Sequence, residues 1–327
     1  MNKTKSDLPA LLTIKTHDYF SGTSEALDQI KKVEEPTDST NATNATEVEE
    51  KIEEVEEVAV AVEQVEVKEI DAEKLAEIDA VIGRYEKGVS VFYKDLLSGE
   101  EYFYNPDEKY FVASVIKAPY MMYVYRLVLD GTADLSEVYM YIETDYREGT
   151  GKIKEMAYGT EFTLNELIYY ALRWSDNIAM DKIREAYPAS GFIQFSIEIG
   201  VPHIWDIHSA VNADICARCA AVYIEEIYNF IEEGNLYSES LKEHMLNTIN
   251  KMIYAKHPTA RKYGWAENAY HDLGIVYNPD RPYLIVILSD RGIGDLSMFI
   301  DISLAVERYN DSKAEQETGD ITEESLF

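Results

Sequence analysis

Cysteine is almost missing from this 327-residue chain: Cys216 and Cys219 are the whole complement. That excludes a disulfide framework and any all-cysteine metal site. Basic residues are also scarce, 30 lysines and arginines against 61 aspartates and glutamates, for a formal net charge of −31. Phosphate neutralisation needs clustered cations, so this balance argues against a nucleic-acid partner. No run of 18 or more apolar residues could span a membrane. Residues 8–14 are apolar but too short for a secretory core segment, and no small-residue cleavage site follows. The chain as written therefore reads as soluble. Tyrosine is abundant at 25 residues, which supplies large amphipathic contact area.

The first eighty residues differ from the rest. They hold 21 acidic and 8 basic residues, a Thr/Asn/Ala/Ser patch at 37–46 and a Glu/Val-rich run at 47–69. Glutamate interleaves with valine there without a sustained helical period, which reads as an acidic disordered extension over residues 1–80. Residues 81–311 read as the globular domain, and 312–327 as a flexible acidic tail. Short alternating segments at 89–93 and 101–104 flank Leu97-Ser98-Gly99 and suggest a β-hairpin. Residues 114–129 read as a helix apolar on most faces, with Pro119 tolerated in its first turns. A second helix starts at Thr163, whose Thr-x-x-Glu pattern with Glu166 is a capping box. Residues 212–233 read as an amphipathic helix ended by Gly234. Residues 269–277 and 283–289 are β-rich around the Asn278-Pro279-Asp280 turn, and 296–309 read as a closing helix. Strands at both ends with helices between give an α+β domain. One antiparallel sheet draws its strands from both ends, with the helical block on one face.

Ser114-Val-Ile-Lys117 carries the chemistry. In the first turn of a helix, positions i and i+3 share a face, so the lysine amine can take the serine proton once burial lowers its pKa. Alone the pattern is weak, since about one Ser-x-x-Lys is expected by chance in a chain of this size. Downstream lie Ser175-Asp176-Asn177, with the two serines 61 residues apart, and Lys262-Tyr263-Gly264, whose lysine follows Asn177 by 85.

The order, spacing and setting of these three elements resemble the penicillin-recognising serine hydrolases, that is, class A β-lactamases and related penicillin-binding proteins. The resemblance covers about residues 89–309. It implies Ser114 as nucleophile and Lys117 as its base. Ser175 would relay a proton to the leaving nitrogen, with Lys262 as a cation across the cleft. Asn177 would bond a substrate amide and the Lys117 ammonium. An oxyanion hole would come from the N–H groups of Ser114 and Trp265, with Gly264 allowing close substrate approach. Asp176 is expected to serve local structure. No cofactor or metal is implied, and the partner is a small-molecule or peptidoglycan-like substrate.

Two departures sharpen the expectation. Tyr263 stands where the family has a threonine or serine that contacts a substrate carboxylate. Class A β-lactamases also carry an Ω-loop Glu-x-x-Leu-Asn motif whose glutamate activates the deacylating water. Residues 200–212 here contain no glutamate. Asp206 and His208 fall in that region, each readable as a water base or as an ordinary loop residue. His271 reads either as a substrate contact or as a structural histidine with Asp272 as partner. The Cys216/Cys219 pair reads as small buried core residues, a redox or metal role lacking its usual context.

The expected protein is a serine hydrolase that forms an acyl-enzyme at Ser114 with a β-lactam or peptidoglycan-like amide and releases it slowly. A D-alanyl-D-alanine peptidase or general amidase/esterase, and a non-catalytic penicillin- or peptidoglycan-binding protein, are the alternatives. The resemblance points outside the cytoplasm. The absence of a readable export signal leaves a truncated start or a cytoplasmic role both open.

Overall fold

A computed structural model describes residues 72–85, 88–201, 213–291 and 296–324. In chain order the elements are α1 (Ala72–Gly83), β1 (Val89–Asp95), β2 (Glu101–Tyr104), β3 (Tyr110–Phe111) and a 3-10 turn (Ala113–Ile116) that runs into α2 (Lys117–Leu129). There follow β4 (Val138–Met140), β5 (Glu161–Thr163), α3 (Leu164–Arg173), α4 (Asn177–Ala186) and α5 (Ala189–Glu198). The last third holds β6 (Asp214–Ile215), α6 (Ala217–Glu232), α7 (Leu236–Leu246), β7 (Thr259–Ala266), β8 (Ala269–Val276), β9 (Tyr283–Ser289) and α8 (Leu296–Glu324). The acidic extension expected over 1–80 lies almost wholly outside the described residues, as do Asp206 and His208.

One five-stranded antiparallel sheet, in the order β2-β1-β9-β8-β7, joins the two ends of the domain. β1 lies against β9, with Val91 opposite Ile287 and Tyr93 opposite Ile285. β7 closes on β8 through a two-residue turn, leaving β7 as an edge. Period-two alternation sorts each strand between two buried faces. Phe92, Leu284, Val286 and Leu288 join the core shared with the helical block. On the other face Tyr93 meets Tyr283 and Tyr309, and Tyr270 meets Phe299. The helical block was expected on one face; α8 covers the second. That is why the central strands read as continuous apolar runs rather than alternating ones.

α2 is the hub of the helical block, and eight of its residues from Lys117 to Tyr125 are buried. Pro119 sits inside its first turn, where a missing N–H leaves nothing unsatisfied. α3 starts as expected at a Thr163–Glu166 capping box, the Thr163 hydroxyl accepting the Glu166 N–H at 3.2 Å. The helix expected from residue 212 begins instead at Ala217, because residues 214–215 are committed to β6, paired with β3. α8 continues past the expected end at Tyr309 to Glu324 and takes in most of the stretch read as a tail. Among the described residues no helix is long and apolar enough to cross a membrane.

Candidate active site

Ser114 lies in the 3-10 turn before α2 and Lys117 is the first residue of α2, so the i, i+3 relation holds across the junction. Ala113, just before the serine, has φ +46°, a left-handed conformation that is costly for a residue with a Cβ. It turns the chain sharply from β3 into α2. Lys117 is 4% exposed. Its ammonium donates to Ser175 O at 2.6 Å, Asn177 Oδ1 at 2.8 Å, Asp176 O at 3.3 Å and Ser175 Oγ at 3.5 Å. Burial pulls its pKa down to about 7, opposed by the charges of Asp176 and Asp181. Among the described residues nothing hydrogen-bonds Ser114 Oγ.

The Ser175-Asp176-Asn177 turn is built by its neighbours. Ser175 has φ +53°, and its carbonyl accepts from both Lys117 and the Thr150 hydroxyl, the latter at 2.8 Å. Asp176 caps α4, accepting the Ala179 N–H at 3.0 Å, and also takes the N–H groups of Lys152 and Ile153 at 2.5 and 2.9 Å. Its role is structural, as the sequence suggested. Asn177, the first residue of α4, is thereby aimed back at Lys117.

Lys262 comes from β7 and is fully buried. Its ammonium donates to Ser175 Oγ at 3.0 Å and to the Tyr263 carbonyl at 2.7 Å, and sits 4.0 Å from the centre of the Tyr263 ring. Burial and the nearby Lys117 charge hold its pKa well below the usual lysine range. It therefore stands behind Ser175 rather than across an open cleft. Gly264 packs against the start of the nucleophile turn: a Cβ there would lie 2.8 Å from the backbone nitrogens of both Ser114 and Val115. In an antiparallel ladder, hydrogen-bonded and open pairs alternate. Counted from the closing pair Ala266–Ala269, Trp265 falls on an open pair, and its N–H faces the free edge of β7.

These elements surround a cavity of about 250 Å³ lined by Ser114, Lys117, Asn177 and Trp265 together with Phe111, Arg147, Thr150 and Asp181. Sequence reasoning missed the last four. Arg147 and Thr150 sit in an irregular loop with no periodicity to mark it, and only the fold brings Arg147 to Asp181 of α4, at 2.5 Å.

Two expected substrate contacts are placed elsewhere. The Tyr263 side chain is fully buried, so its phenol does not reach the cavity where a threonine hydroxyl would. Burial also pushes the phenol above its ordinary range, opposed by Ser175 and Asn250. His271 is fully buried as well. Its Nδ1 accepts the Ser289 N–H at 3.0 Å, which leaves Nε2 to donate to Phe111 O at 2.8 Å. Burial drops its pKa to about 4, so the ring is neutral. The histidine ties β3 to the sheet with both nitrogens satisfied. Its expected partner Asp272 instead accepts the Met252 and Ile253 N–H groups at 3.1 and 3.0 Å, 3.6 Å from Arg261. The cause is topological: β8 lies between β7 and β9, so its side chains point into packed layers.

The chain matches the family model described as Beta-lactamase enzyme family over residues 74–309. Its fold is similar to a β-lactamase from Sphaerobacter thermophilus, at 17% identity and a TM-score of 0.65, covering 72% of this chain and 97% of that one. A β-lactamase from Chitinophaga pinensis gives 19% identity and 0.64, covering 74% and 99%. PBP-A, in a mutant form described as an acyl-enzyme complex with penicillin G, gives 18% and 0.63, covering 73% and 97%. No curated protein matches the chain. With the family model spanning more than half of its length, and an antiparallel sheet and helical block of the same fold, this chain belongs to the β-lactamase enzyme family.

Proposed function

We propose that the chain is a serine acyl-transfer enzyme that opens a β-lactam or peptidoglycan-like amide through Ser114 and releases the acyl group slowly. The observation that carries this is Lys117, buried within one turn of Ser114 and held near pKa 7, so that a large share of it is neutral at physiological pH. Neutral Lys117 takes the Ser114 proton as Oγ attacks the carbonyl carbon, keeping Ser175 O and Asn177 Oδ1 as acceptors for its two remaining N–H groups. The N–H groups of Ser114 and Trp265 stabilise the developing oxyanion. Ser175 Oγ passes a proton to the departing nitrogen, and Lys262 orients that hydroxyl at 3.0 Å. Asn177 also meets the amide of the substrate's acyl side.

Deacylation needs a base for water. Residues 200–212 offer no glutamate for that step, and among the described residues the carboxylate lining the cavity, Asp181, is paired with Arg147 at 2.5 Å. A fluorescent penicillin should therefore label the protein and the label should persist over hours, while a chromogenic cephalosporin is consumed at no more than about one equivalent per chain. Sustained cephalosporin turnover would contradict the slow-release half of the reading. Absence of labelling would contradict the reading as a whole.

A further inference from the structure

Cys216 and Cys219 lie outside the cavity, and their geometry suits a chemistry the acyl-transfer centre does not use. Cys216 is the N-cap of α6: its sulfur accepts the Cys219 N–H at 3.2 Å, so one thiol sits at the positive end of a 16-residue helix. The two sulfurs are 2.8 Å apart. A disulfide needs them about 0.8 Å closer, within reach of a small change in side-chain torsion. Arg218, in the first turn of α6 between the two cysteines, is paired with Asp107 at 2.9 and 3.2 Å.

We propose that Cys216 and Cys219 form a reversible intrachain disulfide through exchange with a low-molecular-weight disulfide. Cys216 Sγ loses its proton and attacks one sulfur of the small disulfide, whose S–S bond breaks and releases one small thiol. Cys219 Sγ then loses its proton and attacks the Cys216 sulfur, breaking the mixed disulfide and releasing a second small thiol. The two protein thiols are oxidised and the small disulfide is reduced to two thiols. Both cysteines are buried, and the Cys219 contact together with burial holds the Cys216 thiol above its ordinary range. In the folded dithiol, exchange therefore runs through opening of the first turn of α6 and is slow.

The location gives the link a consequence. Cys216 directly follows β6, which pairs Tyr110 with Ile215 and Phe111 with Asp214. Ala213 O accepts the Val112 N–H at 2.9 Å, two residues before the nucleophile. Tying the start of α6 to the end of β6 holds the strand that seats the Ser114 turn.

The full-length protein is incubated with oxidised glutathione, quenched in acid, unfolded and treated with iodoacetamide. The expected product carries no alkyl group, is lighter by two hydrogens, and yields after trypsin a linked pair of peptides divided at Arg218. Its melting temperature falls by a few degrees on adding dithiothreitol. Cys219→Ser should instead keep one glutathione adduct, because nothing resolves it, and should show no such shift. Two alkyl groups on the wild type, a retained glutathione adduct on the wild type, or a shift of the same size in Cys219→Ser would each overturn the proposal.

Discussion

Replacing Gly264 by alanine perturbs the contact between β7 and the nucleophile turn without removing any functional group. The added Cβ would meet the backbone nitrogens of Ser114 and Val115 at 2.8 Å, with Val115 Cγ1 at 3.1 Å. Both nitrogens are main chain at the start of a buried helix, so neither can swing aside. Strand and helix must separate by about 0.6 Å before the contacts reach ordinary van der Waals distance. Overpacking of this kind costs about 1–3 kcal/mol of stability. The catalytic effect should be larger. The Trp265 N–H moves with the strand, and displacements approaching 1 Å in a preorganised site cost up to about 100-fold in rate, similar to losing one oxyanion donor. The second-order rate of fluorescent-penicillin labelling should therefore fall about 10- to 100-fold at a temperature where the variant remains folded by circular dichroism. Gly274→Ala on β8 is the control, since its closest neighbour is the Thr259 methyl carbon at 3.0 Å, a side chain that can yield. It should lose some stability and keep its labelling rate. A folded Gly264→Ala protein that labels at the wild-type rate would refute the proposed pairing of the Ser114 and Trp265 N–H groups.

Because Lys117 must be neutral to accept a proton and its pKa is lowered to about 7, the acylation rate should rise with pH through 7 and level off above it. A rate that stays flat from pH 5 to 9 would exclude Lys117 as the base. Asp176→Ala strands three backbone N–H groups and should cost about 3 kcal/mol or more, read as a lowered denaturant midpoint with unchanged slope. Tyr125 stacks on the Phe230 and Tyr237 rings, and its buried hydroxyl has no hydrogen-bond partner among the described residues. Tyr125→Phe should accordingly raise stability, by about 1 kcal/mol, in the same denaturant assay.

What was legible in the sequence was what local chemistry dictates. The Thr163–Glu166 capping box, the hairpin turn at Leu97-Ser98-Gly99 and the apolar run of α2 each specify their element through near neighbours. The capping box and the hairpin fall where expected, and the helix expected from residue 114 opens as a 3-10 turn and becomes α-helical at Lys117. Ser114, Lys117, Ser175, Asn177 and Lys262 could be named because three short motifs occur in order, and the fold gathers their side chains around one turn. The failures are non-local. Whether His271 faces a cleft or a packed layer depends on β8 being an inner strand, a property of the whole sheet. Tyr263 likewise looks like an exposed replacement in sequence, whereas its ring is buried beside the Lys262 ammonium. The helix thought to start near residue 212 starts at Ala217, since residues 214–215 pair with β3, about a hundred residues earlier. Arg147 and Asp181 belong to the cavity only because a loop and a helix converge there.

The most direct test of the account is the mass of the intact protein after incubation with benzylpenicillin. The wild type should gain the mass of one penicillin, mapped by peptide sequencing to Ser114, and Ser114→Ala should gain nothing while melting at the wild-type temperature. An adduct on another residue, or an equal adduct on Ser114→Ala, would contradict the assignment of Ser114 as nucleophile.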